Sequence, residues 1–111
     1  MKFVTKEVYN AKVIVIKGKL MGGPEAEDFH NILKDSMGAG KKNFVVDLSD
    51  VKYVNSSGIG ILVRGFSSVK NAGGSLKLAG ITDKVNGVLA ITKLNSVFEQ
   101  YPTVDEAAQS F

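Results

Sequence analysis

The stretch Asn55-Ser56-Ser57-Gly58 sets a carboxamide and two hydroxyls directly ahead of a glycine and of an apolar run with helical spacing. Two kinds of chemistry suit that arrangement. In the first, Ser56 or Ser57 is an N-cap: its oxygen accepts a hydrogen bond from the first unpaired N–H groups of the helix, and Gly58 lets the chain turn tightly. In the second, those N–H groups and the positive end of the helix dipole stabilise an anion, so a hydroxyl there suits a phosphoryl group and can serve as a switch. The cap by itself accounts for the residue types.

Other patterns that resemble chemistry are incomplete. Gly38-Ala39-Gly40-Lys41-Lys42 lacks the G-x-x-x-x-G-K-[ST] spacing and follows helical rather than strand periodicity, so it reads as a helix stop. Gly58-Ile59-Gly60 opens a helix, but Val63 stands where a dinucleotide fingerprint needs its third glycine. Ser49-Asp50-Val51-Lys52 and Ser67-Ser68-Val69-Lys70 match S-x-x-K without its companion motifs, and no serine lies in a G-x-S-x-G elbow. His30 is the single histidine, which cannot build a histidine metal site and is a poor triad base; it reads as a surface or boundary residue. Asp47, placed at the end of a predicted central strand, more commonly terminates such a strand or caps a turn than carries catalysis. No catalytic residue, metal or cofactor is expected.

The elements that must position the Asn55 segment follow from periodicity. Lys2 to Val8 and Lys12 to Lys17 alternate with period two around Tyr9-Asn10-Ala11, predicting an antiparallel hairpin. Gly18 to Pro24 is a glycine-rich loop, and Pro24 opens a helix whose apolar positions are Ala26, Phe29, Leu33 and Met37. Asn43 to Leu48 is a nearly continuous apolar run, as expected of a central strand buried on both faces. After Ser49-Asp50, a short extended piece from Val51 to Val54 leads into a helix striped by Ile59, Leu62, Val63, Phe66 and Val69 and stopped at Gly73-Gly74. Ser75 to Ala79 (strand), Thr82 to Ile91 (helix), Ser96 to Tyr101 (strand) and Thr103 to Ser110 (helix) complete a β-β-α-β-α-β-α-β-α order. Such alternation implies an α/β domain with a mixed, mostly parallel sheet of about five strands and four helices.

Composition narrows the function classes. A chain of 111 residues with 44% hydrophobic and 23% charged residues fits one folding unit spanning residues 1–111. Thirteen scattered lysines, the lone Arg64, no tryptophan and a net charge of +3 do not make a nucleic-acid surface. No apolar run approaches the roughly 18 residues of a membrane span, and no apolar core of a secretory signal follows Met1-Lys2-Phe3. The absence of cysteine fits a reducing cytosol, so a cytoplasmic location is expected.

The segment from Val46 to Leu62, Val-Asp-Leu-Ser-Asp-Val-Lys-Tyr-Val-Asn-Ser-Ser-Gly-Ile-Gly-Ile-Leu, resembles the signature of the STAS domain family, in particular the bacterial anti-sigma factor antagonists. The likeness extends to the first hairpin, the Gly18-Lys19-Leu20 loop, the Asn71-Ala72-Gly73-Gly74 stop and the last helix. It implies a partner-switching protein that is not an enzyme: the unmodified form binds an anti-sigma factor that is also a serine kinase, and so releases the sigma factor. The kinase uses ATP to phosphorylate the position of Ser57, with Ser56 as the alternative, and a PP2C-type phosphatase reverses it. The resemblance also implies a docking surface of Met21, Gly22, Gly23, Pro24, Asn55, Ser56, Ser57, Gly58 and Ile59. Two departures bear on this. Asn55 stands where the family has Asp, and Gly18-Lys19-Leu20-Met21 stands where antagonists often read G-E-L-D, which reverses one rim charge at Lys19 and bears on the choice of partner. Two other readings stay open: a constitutive, unphosphorylated STAS scaffold, and a nucleotide- or small-ligand-sensing module.

Overall fold

In the computed structural model, which describes residues 2–111, Lys2–Val8 (β1) and Ala11–Leu20 (β2) form the expected antiparallel hairpin. Its turn uses Tyr9 at a φ of 54°. The chain continues through Glu25–Gly38 (α1), Asn43–Val54 (β3), Ser56–Asn71 (α2), Ser75–Ala79 (β4), Asp83–Ile91 (α3), Gln100–Tyr101 (β5) and Val104–Gln109 (α4). The strands stand in the order β1-β2-β3-β4-β5, antiparallel at β1–β2 and parallel elsewhere. This is the expected α/β architecture, with β3 at the centre.

Alternation along β2 sets the layers. Ile14 and Ile16 face one side, where Phe29 and Leu33 of α1, Ile59 and Leu62 of α2 and Val85 and Leu89 of α3 pack on the sheet. Val13 and Val15 face the other, where Ala107 and Ala108 of α4 cover Val45 and Ala79. Helices α1 and α2 approach closely because Gly65 has no side chain; a Cβ there would stand 2.8 Å from Leu33 Cδ1 and 2.9 Å from Phe29 Cε2. That approach also buries Ile61, which lies outside the predicted stripe.

Three strand boundaries differ from expectation. β2 runs on to Leu20, through Gly18 at a φ of 85°, so only 21–24 remain as loop. β3 is one strand rather than two pieces, because it absorbs extra residues as bulges: Val15 pairs with Asp47 but Lys17 with Asp50, and Gly18 with Val51 but Lys19 with Tyr53. Asp47 therefore sits within the strand, where its Oδ1 accepts the Ser49 N–H at 3.0 Å and the Ser49 hydroxyl at 2.7 Å. β5 shrinks to Gln100–Tyr101, since the preceding residues turn to drive Phe98 edge-on against Phe66, centroids 5.2 Å apart. Thr82 and Thr103 are caps rather than first helical residues, accepting the Val85 and Glu106 N–H groups.

Lys77 on β4 is buried, and its Nζ is held by the Ser110 carbonyl (3.1 Å), the Ser110 hydroxyl (2.7 Å) and Glu99 (3.1 Å), 4.3 Å from the Phe111 ring centroid. These contacts latch the end of the chain to the sheet. Lys77→Ala is expected to cost about 1 kcal/mol, mostly through lost packing of the buried lysine stem, since Glu99 and Ser110 are exposed and water can replace their donor. Urea denaturation measures the loss, and an unchanged midpoint would show that the latch contributes nothing.

Candidate functional site

The junction of β3 and α2 is set by hydrogen bonds from both sides. Asn55 leaves the strand with an extended backbone (φ −132°, ψ 178°), donates its N–H to the Leu20 carbonyl at the end of β2 (3.3 Å), and accepts the Gly58 N–H on Oδ1 at 2.9 Å. Asn55 is therefore the N-cap, not Ser56 or Ser57. The correction has a physical reason: the cap must have β-region backbone, and Asn55 is the last extended residue, whereas both serines are already helical. With the cap supplied by Asn55, the exposed side chains of Ser56 and Ser57 are left out of the capping bond.

Asn55→Ala is expected to destabilise by about 1 kcal/mol, the usual value of a cap. Asn55→Asp, which keeps the acceptor and adds a negative charge at a helix start that has no acidic residue in its first turn, is expected to stabilise by about 0.5 kcal/mol. Thermal denaturation of both variants checks the pair of signs.

Gly58 and Ile59 do not contribute to the surface assigned to them, since both are buried. A Cβ on Gly58 would overlap the Leu20 carbonyl, and Ile59 points into the core among the residues packed under α2. What remains outward is Gly22, Gly23, Pro24, Ser56 and Ser57, with Met21 and Asn55 half-buried. Gly22 and Ser57 come together: a Cβ on Gly22 would lie 3.1 Å from Ser57 Cβ, so the loop touches the second serine at that point.

On its other side Ser57 borders a cleft of about 180 Å³ between α1 and α2, lined by Ala26, Phe29, His30, Ser57, Gly60, Ile61 and Arg64. Arg64 reaches across to Glu27, Nη1 to Oε1 3.0 Å, with both side chains more than half exposed. His30 is half-buried, and its Nδ1 is enclosed without a hydrogen-bond partner. Burial, and then the Arg64 charge, hold the imidazole below its ordinary pKa, with Lys34 adding slightly and Glu27 opposing. The unfolded chain takes up that proton more readily, so stability is full above the ordinary histidine value of about 6.5 and declines as pH falls below it. His30→Gln is expected to flatten the fall in urea midpoint between pH 7 and pH 5.

Residues 2–107 match the STAS domain. The chain belongs to the STAS domain family. A protein of Thermotoga neapolitana named as an anti-sigma factor antagonist homologue is 29% identical over 98 residues, covering 87% of each chain. The crystal structure of a Thermotoga maritima protein named as an anti-sigma factor antagonist superposes with a TM-score of 0.84 at 26% identity, covering 97% of this chain and 92% of that one. The structure of the Bacillus cell fate determinant SpoIIAA in its phosphorylated form has a TM-score of 0.75 at 16% identity and covers 98% of both chains, a likeness of fold.

The resemblance read from the Val46–Leu62 segment is thus the right family. In this STAS domain, sequence reading found the serines and the loop but missed Arg64 and the placement of His30 against α2. A signal for Arg64 was present, since positions 57, 60, 61 and 64 share one face of α2 at spacings of three, four and seven. Nothing local marks His30 as facing that row. No helix among the described residues is long and apolar enough to cross a membrane.

Proposed function

We propose that this STAS domain is an anti-sigma factor antagonist that works by partner switching. Its unmodified form binds an anti-sigma factor with serine-kinase activity in the cytoplasm, which frees the sigma factor. Phosphorylation of Ser57 ends the binding, and a PP2C-type phosphatase restores it. The domain acts as a binding partner and kinase substrate rather than as an enzyme.

The observation that carries this reading is the position of Ser57: exposed in the first turn of α2, outside the cap, with its Cβ against Gly22. A hydroxyl so placed is accessible to a kinase and central to the surface formed by the loop and the helix start. A phosphoryl group there adds about 1.5 to 2 negative charges and three acceptor oxygens. A partner fitted to the bare surface then meets charge and bulk that it must desolvate. Nothing need refold, because Asn55 and not Ser57 holds the helix end. Names of relatives as anti-sigma factor antagonists support the same reading.

The test is intact mass of the protein from its host, with peptide mapping of the segment from Asn55 to Arg64 before and after phosphatase. A phosphatase-labile phosphate on Ser57 is the expected result. Protein that carries none in growth or stress would instead favour a constitutive scaffold.

A further inference from the structure

The cleft beside Ser57 has a composition that the switch alone does not require. Its titratable lining groups are Arg64 from α2 and His30 from α1, with Arg64 paired to Glu27 of α1. Arg64 lies seven residues after Ser57, two helical turns on the same face, and an arginine on a helix leans back toward the N-terminus. It is held by one contact to a carboxylate, and so exposed a pair contributes little, so exchanging it costs little. His30 Nδ1 lies enclosed without a partner, so the ring nitrogen that can donate to a group in the cleft is Nε2.

We propose that this cleft is the seat of the phosphoryl group on Ser57, with Arg64 leaving Glu27 to pair with the phosphate and His30 supplying a second donor. The proposal rests on the reading of Ser57 as phospho-acceptor. In the loading step Ser57 Oγ attacks the γ-phosphorus of the kinase's ATP; the Oγ–P bond forms, the bond to ADP breaks, and the hydroxyl proton passes to the kinase. The product is a dianion beside a guanidinium whose planar fork matches two of its oxygens, a stronger pairing than the single contact to Glu27. The α2 start adds its dipole and has no acidic side chain in its first turn to oppose the charge.

Two consequences follow for the switch. The phosphate lies along α2 toward α1 rather than projecting into solvent, so it alters the face between the two helices as well as the 21–24 loop. Glu27, released by Arg64, presents its carboxylate on that same face. Phosphorylation then changes two charges of the surface through one modification, and both changes are negative.

The experiment uses the full chain with phosphoserine installed at position 57 during translation, which needs no kinase. Phosphorus NMR follows the phosphate titration in the wild-type background, in Arg64→Gln and in Arg64→Lys. The wild-type phosphate is expected to titrate about one pH unit below that of Arg64→Gln, as a nearby opposite charge dictates, with Arg64→Lys between them. His30→Gln is expected to give a smaller upward shift. Identical titration in wild type and Arg64→Gln would overturn the seat. Binding of the same phosphoprotein to an anti-sigma factor kinase is measured separately: if it binds as tightly as the unmodified chain, the switch reading fails whatever the titration shows.

Discussion

Gly58→Ala is expected to lower the stability of the domain by about 3 kcal/mol, a large effect for one added methyl group. The Cβ would overlap the Leu20 carbonyl, and backbone cannot move aside by changing rotamer as a side chain can. Leu20 is fully buried, and its carbonyl accepts the Asn55 N–H, so it is fixed from both sides. Relief requires lifting the start of α2 off β2, which breaks the cap on Gly58 N–H and separates Ser57 from Gly22. Gly60 is the control two residues on. Nothing lies within 4 Å of a Cβ there, so Gly60→Ala is expected to stabilise by about 0.5–1 kcal/mol through helix propensity. Urea denaturation of the two variants should give opposite signs. A wild-type midpoint for Gly58→Ala would mean that α2 does not approach β2 as closely as described.

A phosphate on Ser57 is expected to weaken binding of the anti-sigma factor kinase by at least about 100-fold, the scale on which charge and bulk added to a surface fitted to its partner act. Ser57→Asp, with one charge and a shorter reach, should lose less. Ser57→Ala should bind nearly as the unmodified chain does but accept no phosphate, leaving the partner permanently engaged. Ser56→Ala removes one hydroxyl from the rim of the docking surface and should weaken binding by less than about fivefold, while leaving the loss on phosphorylation of Ser57 intact, because Ser56 neither caps the helix nor lines the cleft. Titration calorimetry with phosphorylated and unmodified protein reads all four. Equal affinity of the phosphorylated and bare forms would remove the mechanism while leaving the family assignment intact.

These two predictions differ in how far the sequence leads to them. The glycine and the serines are visible in the Asn55-Ser56-Ser57-Gly58 string, and the string alone suggests both a helix start and a site for an anion. It does not say which oxygen caps. Three residues in succession carry side chains able to do so, and the choice depends on where extended backbone gives way to helix, a boundary that β3 sets by running through to Val54 as one bulged strand. The assignment of Gly58 and Ile59 to the surface failed for the same reason: a position next to an exposed serine looks exposed until the strand it rests on is known.

The sequence by itself determined the order of the elements, the hairpin at the start, the central place of the Phe44–Leu48 strand and the family. Period-two and period-3.6 alternation are local properties, and a family signature is a string. Tertiary structure decided what surrounds Ser57. Leu20 lies 37 positions before it, Gly22 35 and His30 27; what brings them together is sheet register and the Gly65 contact between α1 and α2, neither of which is encoded by spacing along the chain. Burial of Gly58, exposure of Ser57 and the pairing of Arg64 with Glu27 are all distances between segments remote in sequence. Such distances follow from packing the whole core, so they become readable only when the fold is in place.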